Sequence, residues 1–160
     1  KSDNNFDYLL YGSINVIEVL GANTVGIINM YQMFSGCIHL AKVAIFNTTS
    51  LTAMSGMFYD CRALTTVPLF DTSNVITMKI AFRGCTNLTA IPLFNTAKVI
   101  DMEQAFYNCR KVQTGALALY QQASTQATPP KYHFETFYNC GSNTETGRAE
   151  LAQIPSNWKE

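Results

Sequence analysis

The sequence predicts an α/β repeat solenoid, a stack of 24-residue turns with a parallel sheet along one face. Three observations predict it. Cys37, Cys61, Cys85 and Cys109 stand at intervals of 24, 24 and 24 residues. Each follows a phenylalanine by three positions (Phe34, Phe58, Phe82, Phe106), and that phenylalanine follows a methionine by four (Met30, Met54, Met78, Met102). The turns are joined by segments such as Phe70-Asp71-Thr72-Ser73-Asn74-Val75, whose short polar side chains bond their own backbone and bend it.

Within a turn, the Met-x-x-x-Phe-x-x-Cys piece has spacings of four and three and fits a short helical turn. Three residues beyond each cysteine comes Leu40, Leu64, Leu88 or Val112, then Val43, Val67 and Ile91, then Ile45, Leu69 and Leu93. Val67 and Leu69 are two apart and fall on one face of a short strand. The outward slots of that strand then hold Lys42, Thr66 and Ala90, followed by Ala44, Pro68 and Pro92, a smooth and weakly polar surface. Phe46, Phe70 and Phe94 lie opposite Leu69 by strict alternation, yet a bare phenylalanine ladder invites aggregation, so a packed corner is expected.

The whole chain, 1–160, reads as a single solenoid domain: residues 1–26 a degenerate N-terminal turn, 27–115 the regular repeats, 116–160 a degenerate repeat and cap. Phe6, Leu10, Ser13, Val16 and Val19 occupy the apolar columns one interval before the first full turn. Phe137 and Cys140 repeat the Phe-x-x-Cys spacing 31 residues after Phe106 and Cys109, so seven residues are inserted. The insertion, Thr114 to Ala123, has Thr114 as N-cap and an Ala- and Leu-rich run behind it, which predicts a helix over the end of the stack.

Composition excludes several function classes. Eleven basic and eleven acidic residues cancel and are scattered singly, so electrostatic binding to nucleic acid is not expected. The longest apolar runs, such as Val43-Ala44-Ile45-Phe46, fall far short of the ~20 residues of a membrane span, so no membrane insertion is expected. The opening Lys1-Ser2-Asp3-Asn4-Asn5 lacks the order of a secretory signal, which fits either a leader already removed or a piece of a larger protein.

No residue set reads as an active site, a metal centre or a cofactor site. The cysteines lack the two-to-four-residue pairing of zinc ligands, and like side chains stacked in register point the same way rather than toward one another. A reduced, buried thiol column is expected. A Cys/His pair needs a histidine: His39 shares its slot with Ala63, Asn87 and Lys111 and faces solvent, and His133 replaces a column methionine as a partly buried end residue. Gly36 and Gly84 are isolated from any glycine-rich run and offer no phosphate cradle. Tyr59, Tyr107 and Tyr138 share a slot with Ser35 and Arg83 and are expected to face water.

The segments Phe70 to Met78 and Ala81-Phe82-Arg83-Gly84-Cys85-Thr86-Asn87-Leu88 resemble the BspA-type leucine-rich repeat proteins, whose turns carry an Ala-Phe-x-x-Cys-x-x-Leu core. The resemblance covers roughly residues 27–112. It implies a leucine-rich-repeat-like, right-handed stack at a bacterial cell surface or secreted, used for adhesion. Related repeats in phage particles give the alternative of a tail or fibre protein of a virion.

The reading that follows is a non-catalytic binding module without cofactor, either a monomer or part of a larger chain. Its partner is a protein or glycan on a host or neighbouring cell. The contact is expected on the strand face, at Lys42, Thr66, Ala90, Pro68 and Pro92. The irregular loop Ser124 to Tyr132, with Pro129 and Pro130, completes it, ahead of the tyrosine-bearing side.

Overall fold

The computed structural model describes residues 4–160; Lys1 to Asp3 lie outside the described residues. Its turns are stacked as the 24-residue interval requires, and backbone hydrogen bonds join each turn to the next. Met30, Gln32, Phe34 and Gly36 donate their N–H groups to the carbonyls of Ala53, Ser55, Met57 and Tyr59 in the following turn, at 2.8 to 3.0 Å. The intervening N–H groups of Met33, Ser35 and Cys37 fold back to Met30, Gln32 and Phe34 in their own turn. The same alternation recurs from Met54 to Asp60 and from Met78 to Gly84.

This corrects the expected helical turn. An α-helix consumes its N–H groups internally and leaves none for a neighbour. Here two residues per turn adopt left-handed backbone, Gln32 and Gly36, Gly56 and Asp60, Ile80 and Gly84, Gln104 and Asn108. Each such residue reverses a peptide plane, so alternate N–H groups point along the stack. The column Gly36, Asp60, Gly84, Asn108 holds the residue types that tolerate this conformation.

The parallel sheet is also smaller than expected. Among the described residues only β1 (Glu18–Val19) and β2 (Lys42–Val43) form strands, paired Glu18 with Lys42 and Val19 with Val43, and a lone bridge joins Ala90 to Thr114. The cause is proline. Ala44 donates its N–H to Val19 at 2.8 Å, and the residues in its slot one and two turns on are Pro68 and Pro92, which have no N–H. The pairing that runs the length of the stack lies elsewhere, through Asn5, Asn29, Ala53, Thr77, Asp101 and Tyr132.

The core is a set of columns. Met54, Phe58, Cys61 and Leu64 are wholly buried, as are Met78, Phe82, Cys85 and Leu88. The phenylalanine rings stack nearly parallel, with centroids 5.3 Å apart for Phe34–Phe58 and Phe58–Phe82 and 5.2 Å for Phe82–Phe106. Phe46, Phe70 and Phe94 turn inward as the packed corner, buried against this column. All five cysteines are free and buried. At the corners Asn23, Asn47, Asp71 and Asn95 each accept the N–H two residues ahead, so one side-chain device bends every turn.

The predicted helix is present as α1 (Ala116–Thr125), its N-cap one residue later than expected, because Thr114 pairs with Ala90 and Gly115 takes the N-cap position. Gly115 has φ 99°, and an added Cβ would meet the Ile91 carbonyl. The N–H groups of Gly115 and Leu117 are satisfied by the Glu150 carboxylate, reaching across from α2 (Glu145–Gln153) at 3.3 and 3.1 Å. A negative group at a helix N-terminus serves both its free donors and its dipole. His133 is partly buried as expected, stacked at 4.3 Å on the buried Trp158.

Candidate binding face

The face expected to bind is present, with one column changed. Lys42 and Thr66 are exposed, and Ala90, Pro68 and Pro92 are half-buried. Sequence reasoning placed Ile45, Leu69 and Leu93 in the core; they are 69%, 58% and 55% exposed. Val67 and Phe70 both point inward, three residues apart, which leaves Pro68 and Leu69 together on the outside. After Pro92 the chain closes a tight turn in which Phe94 donates its N–H to the Pro92 carbonyl at 2.8 Å. The strict two-residue period therefore fails one residue past the prolines. Those prolines were the available signal, since a proline rarely sits inside a paired strand.

The result is a ladder of exposed aliphatic side chains, Ile45, Leu69 and Leu93, one per turn, flanked by Ala44, Pro68 and Pro92. No charge interrupts it. Single exposed apolar residues are ordinary on a protein surface; a column of them in register is a contiguous patch, the kind of surface that marks interaction sites.

The loop after α1 lies over the adjoining corner. Gln122 donates to the Phe94 carbonyl at 3.0 Å, and Gln126 exchanges bonds with the Thr96 hydroxyl and carbonyl at 2.9 and 3.0 Å. Pro129 is exposed there, but Pro130 is buried, so Pro130 holds the loop in place and offers no contact surface.

The tyrosine side is built differently. Tyr107 and Tyr138 stack flat on each other at 4.7 Å, and the Arg83 guanidinium sits over the other face of the column at 4.4 Å from the Tyr107 ring. All three are half-buried. The Tyr107 ring is covered by both of these neighbours, so it offers no open aromatic platform on which a sugar could stack.

The chemistry-bearing groups are separated. His39 is exposed and shares a shallow groove of about 390 Å³ with Ile14, Asn15 and Ile17, none of them a nucleophile. Burial pushes the Cys61, Cys85, Cys109 and Cys140 thiols well above the usual range, so they stay protonated. Among the described residues, no three His, Cys, Asp or Glu side chains gather as a metal site, and no helix is long and apolar enough to cross a membrane.

Stacked 24-residue turns with a buried thiol column and an exposed aliphatic ladder define a repeat protein. The chain belongs to the family described as "Mycoplasma protein of unknown function, DUF285", whose profile matches residues 6–136. No curated protein matches it in sequence. Among solved structures it is similar to the T. pallidum leucine-rich repeat protein, at 13% identity and a TM-score of 0.49, over 94% of this chain and 76% of that one.

Proposed function

We propose that this chain is a non-catalytic protein-binding module, and that its contact surface is the aliphatic ladder Ile45, Leu69 and Leu93 with Thr66, Pro68 and Pro92 beside it. The observation that carries this reading is the ladder itself: three large aliphatic side chains, one per hydrogen-bonded turn, more than half exposed, with no charge among them. Such a surface suits the apolar anchors of a protein partner. It suits a glycan poorly, because sugars are recognised by ring stacking and paired polar groups.

The BspA-type resemblance of residues 27–112 supports placing the module at a bacterial cell surface or among secreted proteins, in adhesion. The Mycoplasma description of the family favours a bacterial product over a virion component. A leucine-rich-repeat-type, right-handed solenoid is the architecture this reading adopts.

The test is a binding assay against the partner protein with Leu69→Arg, Thr66→Arg and Tyr107→Ala. Leu69→Arg and Thr66→Arg are expected to abolish binding while melting like the parent. Loss with Tyr107→Ala alone would move the site to the tyrosine side. No loss with any of the three would move it to the ends of the stack.

A further inference from the structure

The two ends of the stack are finished differently. At the C-terminal end α1 and α2 cover the last turn, and the Trp158 carbonyl accepts the N–H of Phe137 at 3.0 Å. At the other end, the first turn spends its N–H groups at Phe6, Tyr8, Leu10 and Gly12 on the second turn, at 2.7 to 2.9 Å. By the alternation that joins every pair of turns, the carbonyls that receive N–H groups from a turn in front are those of Asn5, Asp7, Leu9 and Tyr11. Among the described residues, no donor reaches any of these four.

The side chains around that row are apolar and uncovered. Leu9 and Tyr11 are more than half exposed, whereas the residues in their slots one turn on, Met33 and Ser35, are buried. Phe6 and Leu10, which continue the methionine and phenylalanine columns, are only partly buried, whereas Met30 and Phe34 above them are wholly so.

We infer that this end is an interaction surface for one further turn of the same repeat type. Acceptors spaced at every second residue call for donors at the same spacing, and the left-handed-containing segment of this repeat is the backbone that provides them. Its Met, Phe and Cys columns continue the apolar cross-section. A second copy of this chain does not fit: two such ends set acceptors against acceptors, and its opposite end is closed by Trp158.

The experiment joins a copy of residues 30–51 ahead of Asn4 and compares it with the same addition carrying Phe34→Asp and Cys37→Asp in the copied segment. Hydroxyl-radical oxidation of Leu9, Leu10 and Tyr11 and binding of an apolar dye are measured for both and for the unextended chain. The expected result is loss of oxidation and of dye binding with the intact copy only. Unchanged oxidation with the intact copy, or equal protection by the altered one, would overturn the inference. So would an unextended chain that sediments as a dimer with Tyr8 and Tyr11 protected, because a second copy would then be the occupant.

Discussion

The Cys85 thiol donates to the Phe58 carbonyl, 27 residues earlier in the chain, at 3.1 Å. Cys37, Cys61 and Cys109 make the equivalent bond to Leu10, Phe34 and Phe82 at 3.0 to 3.1 Å. The cysteine column is thus more than a small apolar filler: each thiol ties its turn to the one before. Cys85→Ala removes a buried hydrogen bond and leaves a void, and is expected to cost about 1–3 kcal/mol. Thermal melting measures the loss. The infrared S–H stretch of the native protein should lie below that of the unfolded chain, and an unshifted band would contradict the bond.

The thiols also set a pH limit. Burial raises Cys61, Cys85, Cys109 and Cys140 above their ordinary values. The sign follows from linkage: below the unfolded-state pKa both states hold the proton and stability is unaffected. Above it the unfolded chain releases protons that the native state retains, so stability falls as pH rises. Each such thiol removes about 1.4 kcal/mol per pH unit beyond roughly pH 8.5. Denaturant midpoints are expected to be flat from pH 6 to 8 and to drop steeply above 9. A Cys61→Ala/Cys85→Ala variant, though less stable at neutral pH, should show a shallower drop.

Phe82 stacks on Phe58, Phe94 and Phe106 and is wholly buried, while its neighbour Arg83 is half-exposed. Phe82→Ala is expected to cost ~3–5 kcal/mol through lost burial and the cavity left behind. Arg83→Ala gives up the contact with Tyr107 and should cost under about 1 kcal/mol. Equal melting temperatures for the two variants would mean that the column assignment is wrong.

Ile80 is a branched residue at φ 50°, a conformation that suits glycine and asparagine. Ile80→Asn is expected to stabilise by up to about 1 kcal/mol. Gly84→Ala, at φ 77° with its new Cβ against the Asp60 carboxylate, should destabilise. Calorimetry on the pair checks the left-handed assignment, and opposite signs are required.

The columns were legible in the sequence because identical residues recur at one interval, and stacking is the way identical apolar residues find a shared core. The buried, reduced cysteines, the inward Phe70 corner and the helix after Val112 followed from that. Three things were not legible. The methionine-to-cysteine spacing of four and three also fits a helix, and only the Gly36, Asp60, Gly84, Asn108 column distinguishes a backbone with left-handed residues. Leu69 was assigned inward by extending strand alternation past Pro68, where the backbone no longer alternates. The capping of α1 by Glu150 joins residues 33 to 35 apart, a contact that no local pattern announces.

The aliphatic ladder as a protein-binding surface is the central claim, and site-specific photocrosslinking tests it most directly. A photoreactive amino acid is placed at Leu69, at Leu93 and, as the control on another exposed surface, at Lys111. Crosslinking is carried out on cells that make the protein. The account predicts one and the same protein adduct from positions 69 and 93, lost when Thr66→Arg is added, and none from position 111. Adducts from position 111 alone, or equal yields from all three, would contradict it.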